Sequence, residues 1–157
     1  MLDVATPAKA APPIPFDTAH LDRLMHEAGI DVLIANSKHN IQYLLGGHRS
    51  LFFDYMDASG LSRYLPIVIY PKGGRDKAAF IGHRLEGFQK EVAPFWTSVT
   101  ETTSNGSVDA MEKAIAYLSK TFPLITNEWT AWSSAASPTS VGGRWAVTAN
   151  VPGKGPA

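Results

Sequence analysis

The chain has 157 residues, 45% hydrophobic and 10% aromatic, which suits a single domain with one buried core. Lys plus Arg and Asp plus Glu each total 14, so no net field draws in a nucleic acid, and no apolar run approaches the roughly 20 residues that span a bilayer. Cys is absent, which removes disulfides, thiolate nucleophiles and Cys-ligated zinc and fits a reducing, cytoplasmic setting, with neither nucleic acid nor membrane as partner.

Residues 1–15, rich in Pro and Ala, carry neither the basic start nor the apolar stretch of a secretory signal and read as a flexible arm. From Asp17 the pattern turns helical. Leu21, Leu24, Met25 and Ala28 fall at i, i+3, i+4 and i+7, with His20 and His26 on the solvent side, Asp17 or Thr18 as cap and Gly29 as stop. "IDVLIA" is short and branched, a buried strand. Asn36 or Ser37 caps a second helix whose Ile41, Leu44 and Leu45 form one apolar face before Gly46 and Gly47 break it; Tyr43 lies off that face. "YLPIVIY" and "AAFIG" flank the turn-rich "PKGGRDK", which predicts an antiparallel hairpin with Pro66 near its start or on an edge.

Leu85, Phe88 and Val92 then follow at helical spacing up to Pro94, "FWTSVT" alternates as a strand, and Ser107 is placed to cap a helix over 108–120. Met111, Ala114, Ile115 and Leu118 line one face of that helix. The sum is α/β: a single mixed sheet flanked by helices over 16–121. Beyond it, 122–157 carries only Glu128, Arg144 and Lys154 as charges among Ser, Thr, Ala, Gly and three Trp, and reads as an irregular tail apart from a short strand at Leu124–Thr126.

Several stretches bear on chemistry. His39, His48, Asp54 and Asp57 lie close in sequence, but their spacing follows no metal-ligand rule, which favours solvated loop side chains. Ser50, His48 and Asp54 contain the residue types of a hydrolase triad without the G-x-S-x-G elbow. "PKGGRDK" lacks the spacing of a phosphate loop and reads as a hairpin turn. His83, Arg84 and Glu86 sit at a strand-to-helix junction, either a ligand site or an ordinary cap with exposed charges. Phe52, Phe53, Tyr55 and Met56 crowd aromatic and apolar bulk into a connection, to cover this domain's core or to meet another domain or subunit.

The stretch "LDRLMHEAGIDVLIANSKHNIQYLLGG" resembles the opening of the creatinase, prolidase and aminopeptidase P family. The hallmark there is a helix ending in "aGiD", a strand, then "N-[IV]-x-Y-L-x-G", which Asn40, Ile41, Tyr43, Leu44 and Gly46 reproduce. The hairpin "RYLPIVIYPKGG…AAFIG" is similar too, and the likeness runs from about Phe16 to Leu118. It implies a ribonuclease H-like N-terminal domain, which in that family precedes a pita-bread domain holding two divalent metals, typically manganese or cobalt. There two Asp, one His and two Glu activate the water that attacks the bond before proline. None of those ligand segments occurs in these residues, so no catalytic, cofactor or metal residue carries over.

The resemblance therefore implies a non-catalytic dimerisation and active-site-rim domain of a Xaa-Pro aminopeptidase or dipeptidase-like metallopeptidase, inactive alone and truncated before its catalytic domain. Its implied partners are a second copy of itself and, in full-length relatives, the pita-bread domain. His48, Arg49, Phe52, Phe53, Asp54 and Tyr55 are the implied contact strip. Family members continue past the last helix into a strand of the type "R-[IV]-G-[VI]-E", a pattern that 122–157 does not follow. On the residues alone the alternative is a stand-alone small-ligand or protein-binding module that uses the aromatic strip with His83 and Arg84.

Overall fold

A helix, a strand and a second helix come first along the chain, where the apolar spacing places them, in a computed structural model that describes residues 12–50, 66–122 and 145–148. Helix α1 spans Thr18–Glu27, and the Asp17 carboxylate accepts the His20 N–H at 3.0 Å to cap it. Strand β1 is Val32–Ala35, and helix α2, Lys38–Leu44, buries Ile41 and Leu44. Gly46 and Gly47 then take φ +65° and +86°, a conformation that side chains with a Cβ resist. At Gly46 space is short as well: a Cβ there would lie 2.9 Å from Pro15 Cβ.

The hairpin forms as expected. Strand β2, Ile67–Pro71, begins just after Pro66 and pairs antiparallel with β3, Ala79–His83. A 3-10 turn at Arg84–Glu86 and a short helix α3, Gln89–Val92, lead to β4, Val99–Ser104, and to helix α4, Ser107–Thr121. A last strand β5, Trp145–Thr148, joins β1. The sheet order is β4-β3-β2-β1-β5, with β3–β4 and β1–β5 parallel and β2 running against both its neighbours. The class is α/β with one mixed sheet. Among the described residues no helix is long and apolar enough to cross a membrane.

Five local expectations shift. The strand expected at "FWTSVT" starts at Val99 instead, because Phe95 and Trp96 are both buried as core side chains: the Trp96 indole donates to the Leu44 carbonyl at 2.7 Å. Ser107 is the first residue of α4 and Gly106 its N-cap, with no side-chain cap; Asp109 in the first turn reaches back to accept the N–H of Asn105, which precedes the helix, at 2.8 Å. The buried side of α4 is Ala110, Ala114 and Leu118, so Met111 and Ile115 look outward. At the N-terminus Ile14 packs on the core beside Phe16, drawing residues 14–15 out of the expected arm. Strand β5 arises in a stretch whose periodicity gave no sign of one, and Leu124–Thr126 lies outside the described residues.

Alternation along the strands divides the core in two. One face sets Val68, Tyr70 and Phe80 against Met25 of α1, Ile41 and Leu44 of α2, and the rings of Phe95 and Trp96. The other sets Val32, Ile34, Ile67, Ile69 and Ile81 against Ala110, Ala114 and Leu118 of α4.

Candidate functional site

Ligands of α/β proteins gather where parallel strands end. In this chain the parallel pair β3–β4 ends at His83 and Ser104, which face each other in register. The Arg84–Glu86 turn begins there, and its cap is reciprocal: His83 Nδ1 accepts the Leu85 N–H at 3.1 Å while Glu86 Oε2 accepts the His83 N–H at 3.3 Å. The turn folds Glu86 back over Gly82, where a Cβ would lie 2.8 Å from Glu86 Oε2 and 2.5 Å from the Phe80 ring. Only glycine leaves room for the carboxylate. Glu86 is 3% exposed, and its Oε1 accepts a hydrogen bond from the hydroxyl of the fully buried Ser50.

Of the junction residues, Arg84 is an exposed charge as expected, but Glu86 is a correction: it turns inward because a buried hydroxyl and a backbone N–H meet its two oxygens. The Ser50–Glu86 pair links positions 36 apart, so no local pattern announces either residue. The one signal in the sequence was the small residue at Gly82 beside an acidic turn.

The order of groups is the wrong one for nucleophilic catalysis. A hydrolase triad places the imidazole between hydroxyl and carboxylate, to take the proton from one while held by the other. Here the serine donates directly to the acid, and the imidazole Nδ1 is occupied by the Leu85 N–H. Ser50 is thus a tethered hydroxyl. It anchors the chain that follows Gly46 and Gly47 to the end of β3.

His48 is half-buried, its ring edge-on to Phe95 at 4.8 Å, and Phe95 in turn lies 4.3 Å from Phe80. That is a correction to the solvated reading. Burial holds the His48 imidazole below its ordinary pKa, and its Nε2 has no hydrogen-bond partner among the described residues. Arg49 is exposed, and His39 is exposed on the first turn of α2. Phe52, Phe53, Asp54 and Tyr55, with Met56 and Asp57, lie outside the described residues, so of the expected strip the structure places His48 and Arg49. Those two flank the route from the Gly-Gly step to the Ser50 anchor.

Other sites resolve more simply. Among the described residues no three His, Asp or Glu side chains come together as metal ligands. "PKGGRDK" is a hairpin turn whose Gly73 N–H is given to Asp22 at 3.0 Å and whose Lys72 pairs with Asp31 at 2.8 Å, leaving no backbone cradle for phosphate. A groove of about 200 Å³ lies between α4 and the β3–β4 edge, floored by Ala79, Ile81 and Val99. Its polar rim is already engaged: Lys113 donates to Thr103 at 2.7 Å, and the Tyr117 hydroxyl donates to the Lys77 carbonyl at 2.7 Å.

The chain matches no protein-family model, no curated protein and no solved structure.

Proposed function

We propose that the chain serves as the non-catalytic N-terminal domain of a Xaa-Pro aminopeptidase or dipeptidase-like metallopeptidase, in the ribonuclease H-like arrangement of the creatinase and prolidase family. Its work is contact: association with a second copy and provision of a rim to an active site whose metals and acid-base groups lie on a pita-bread domain. The observation that carries this reading is the way the Gly-Gly step ends. The segment with the family's "N-[IV]-x-Y-L-x-G" pattern folds as strand, helix and two positive-φ glycines, and the chain after it is tied by Ser50 to Glu86 at the carboxyl end of β3. Arg49 stands exposed just before that anchor, with the His48 ring packed on Phe95 beside it.

The chemistry of this corner agrees with a supporting role. The buried serine and carboxylate stabilise a turn, and the imidazole next to them is used as a cap. A pita-bread catalytic domain prepared without its own N-terminal domain is the partner for the test, with the purified chain added in increasing amounts. Saturable binding that Arg49→Ala weakens is the expected result, with no hydrolysis of a Xaa-Pro dipeptide by the chain alone in manganese. Chelator-sensitive hydrolysis by the chain alone would overturn the reading.

A further inference from the structure

The turn that carries Glu86 inward carries an apolar row outward. Leu85, Phe88 and Val92 stand at i, i+3 and i+7 and are 53%, 59% and 66% exposed. The turns stack: Gly87 N–H donates to the Arg84 carbonyl, and the N–H groups of Glu91 and Val92 both donate to the Phe88 carbonyl. That helical run brings the three side chains to one side. In place of the single helix expected there, a 3-10 turn and a four-residue helix carry the row, and its side chains are exposed.

Charge brackets the row. Arg84 stands at its start and Glu91 near its end, both exposed. Turned end for end about Phe88, the row meets a copy of itself with Leu85 against Val92 and Arg84 against Glu91. This is the self-complementarity that an isologous two-fold contact requires. A partner of uniform charge would leave one of the two ends facing its own sign.

We infer that the Leu85–Phe88–Val92 row is a contact between two copies of this chain, with Phe88 at the two-fold axis and Arg84 of each copy opposite Glu91 of the other. The inference deepens the proposed function, since it gives the homodimer of that reading a named surface. Three side chains and two charge pairs fall below the ~1,200 Å² of a standard interface, so the dimer exchanges rapidly and depends on concentration.

Sedimentation equilibrium of the purified chain over a range of concentrations tests it, with circular dichroism to confirm that each variant folds. A monomer–dimer equilibrium is expected, weakened about tenfold or more by Phe88→Ser, which removes an exposed ring at the centre of the contact. Arg84→Glu and Glu91→Arg should each weaken it several-fold, roughly, and the double exchange should restore it. A chain monomeric throughout, a dimer indifferent to Phe88→Ser, or a double exchange no better than the singles would each overturn the inference. Loss of the dimer in Met111→Lys on α4, with Phe88→Ser unaffected, would place the contact on the other face and leave the proposed domain role standing. Hydrolysis by the chain alone would overturn that role and leave this contact to be judged on its own data.

Discussion

The two faces of the sheet are built on different plans. On one face, two helices, the residues before α1 and the Phe95–Trp96 corner converge on Tyr70 and Phe80, and the rings lock edge to face: Phe16 lies 5.7 Å from Tyr70 and 5.5 Å from Trp96 at 74° to each. On the other, α4 lies on branched aliphatic side chains, with Ala110 and Ala114 letting the helix come close. The aromatic face is held by many elements at once. Among the described residues the aliphatic face depends on one helix, and that helix leaves Val108 75% exposed, with Met111 and Ile115 over one third exposed. Adjacent residues of one strand thus live under different constraints: Phe80 belongs to the crowded side, and Ala79 and Ile81 to the sparse one.

Substitutions can break this contrast. Phe80→Ala removes a fully buried ring that touches Phe95 and overhangs Gly82, and should destabilise the chain by about 3–5 kcal/mol in urea unfolding. Leu118→Ala on the aliphatic face should cost about 2–3 kcal/mol, the low end for its type, because a lone helix can settle toward the sheet. Equal losses for the two variants would refute the contrast.

Smaller changes sharpen it. Ser50→Ala strips one partner from the buried Glu86 and should cost about 1–3 kcal/mol. Trp96→Phe keeps most of the packing but removes the indole donor to Leu44, for about 1 kcal/mol. The smallest effect belongs to His48. Because burial lowers its pKa in the folded state, the unfolded chain takes up the proton first, so stability is full above about pH 6.5 and declines as pH falls below it. Replacing His48 with Gln should flatten that stretch of a stability-against-pH curve.

The elements legible in the sequence were those whose side chains repeat a period. Helices α1 and α2, strand β1 and the β2–β3 hairpin each carry an uninterrupted apolar pattern and a glycine or proline at the boundary. The shift at Phe95–Trp96 has a physical cause: two adjacent large rings bury more surface folded into a corner than alternating along an edge strand. The outward turn of Met111 and Ile115 is a matter of helix rotation, fixed by which residues are small enough to lie on the sheet. The Ser50–Glu86 tie was beyond pattern reading, since its members belong to different elements and meet only when β3 and the Gly-Gly step are in place. Strand β5 was hidden for a similar reason: its pairing with β1, Val32 to Trp145 through Ala35 to Thr148, follows from the open edge of β1 and has little local signature.

The tie also fixes where two points of the chain stand. Ile67 pairs with Ile81, which sets Pro66 beside Gly82, and Gly82 lies under Glu86, the residue that holds Ser50. Ser50 and Pro66 therefore stand at a single corner of the fold. A Cβ at Gly82 would press on the Phe80 ring and the Glu86 carboxylate at once, so the single substitution Gly82→Ala should loosen the Ser50 tie and the start of β2 together.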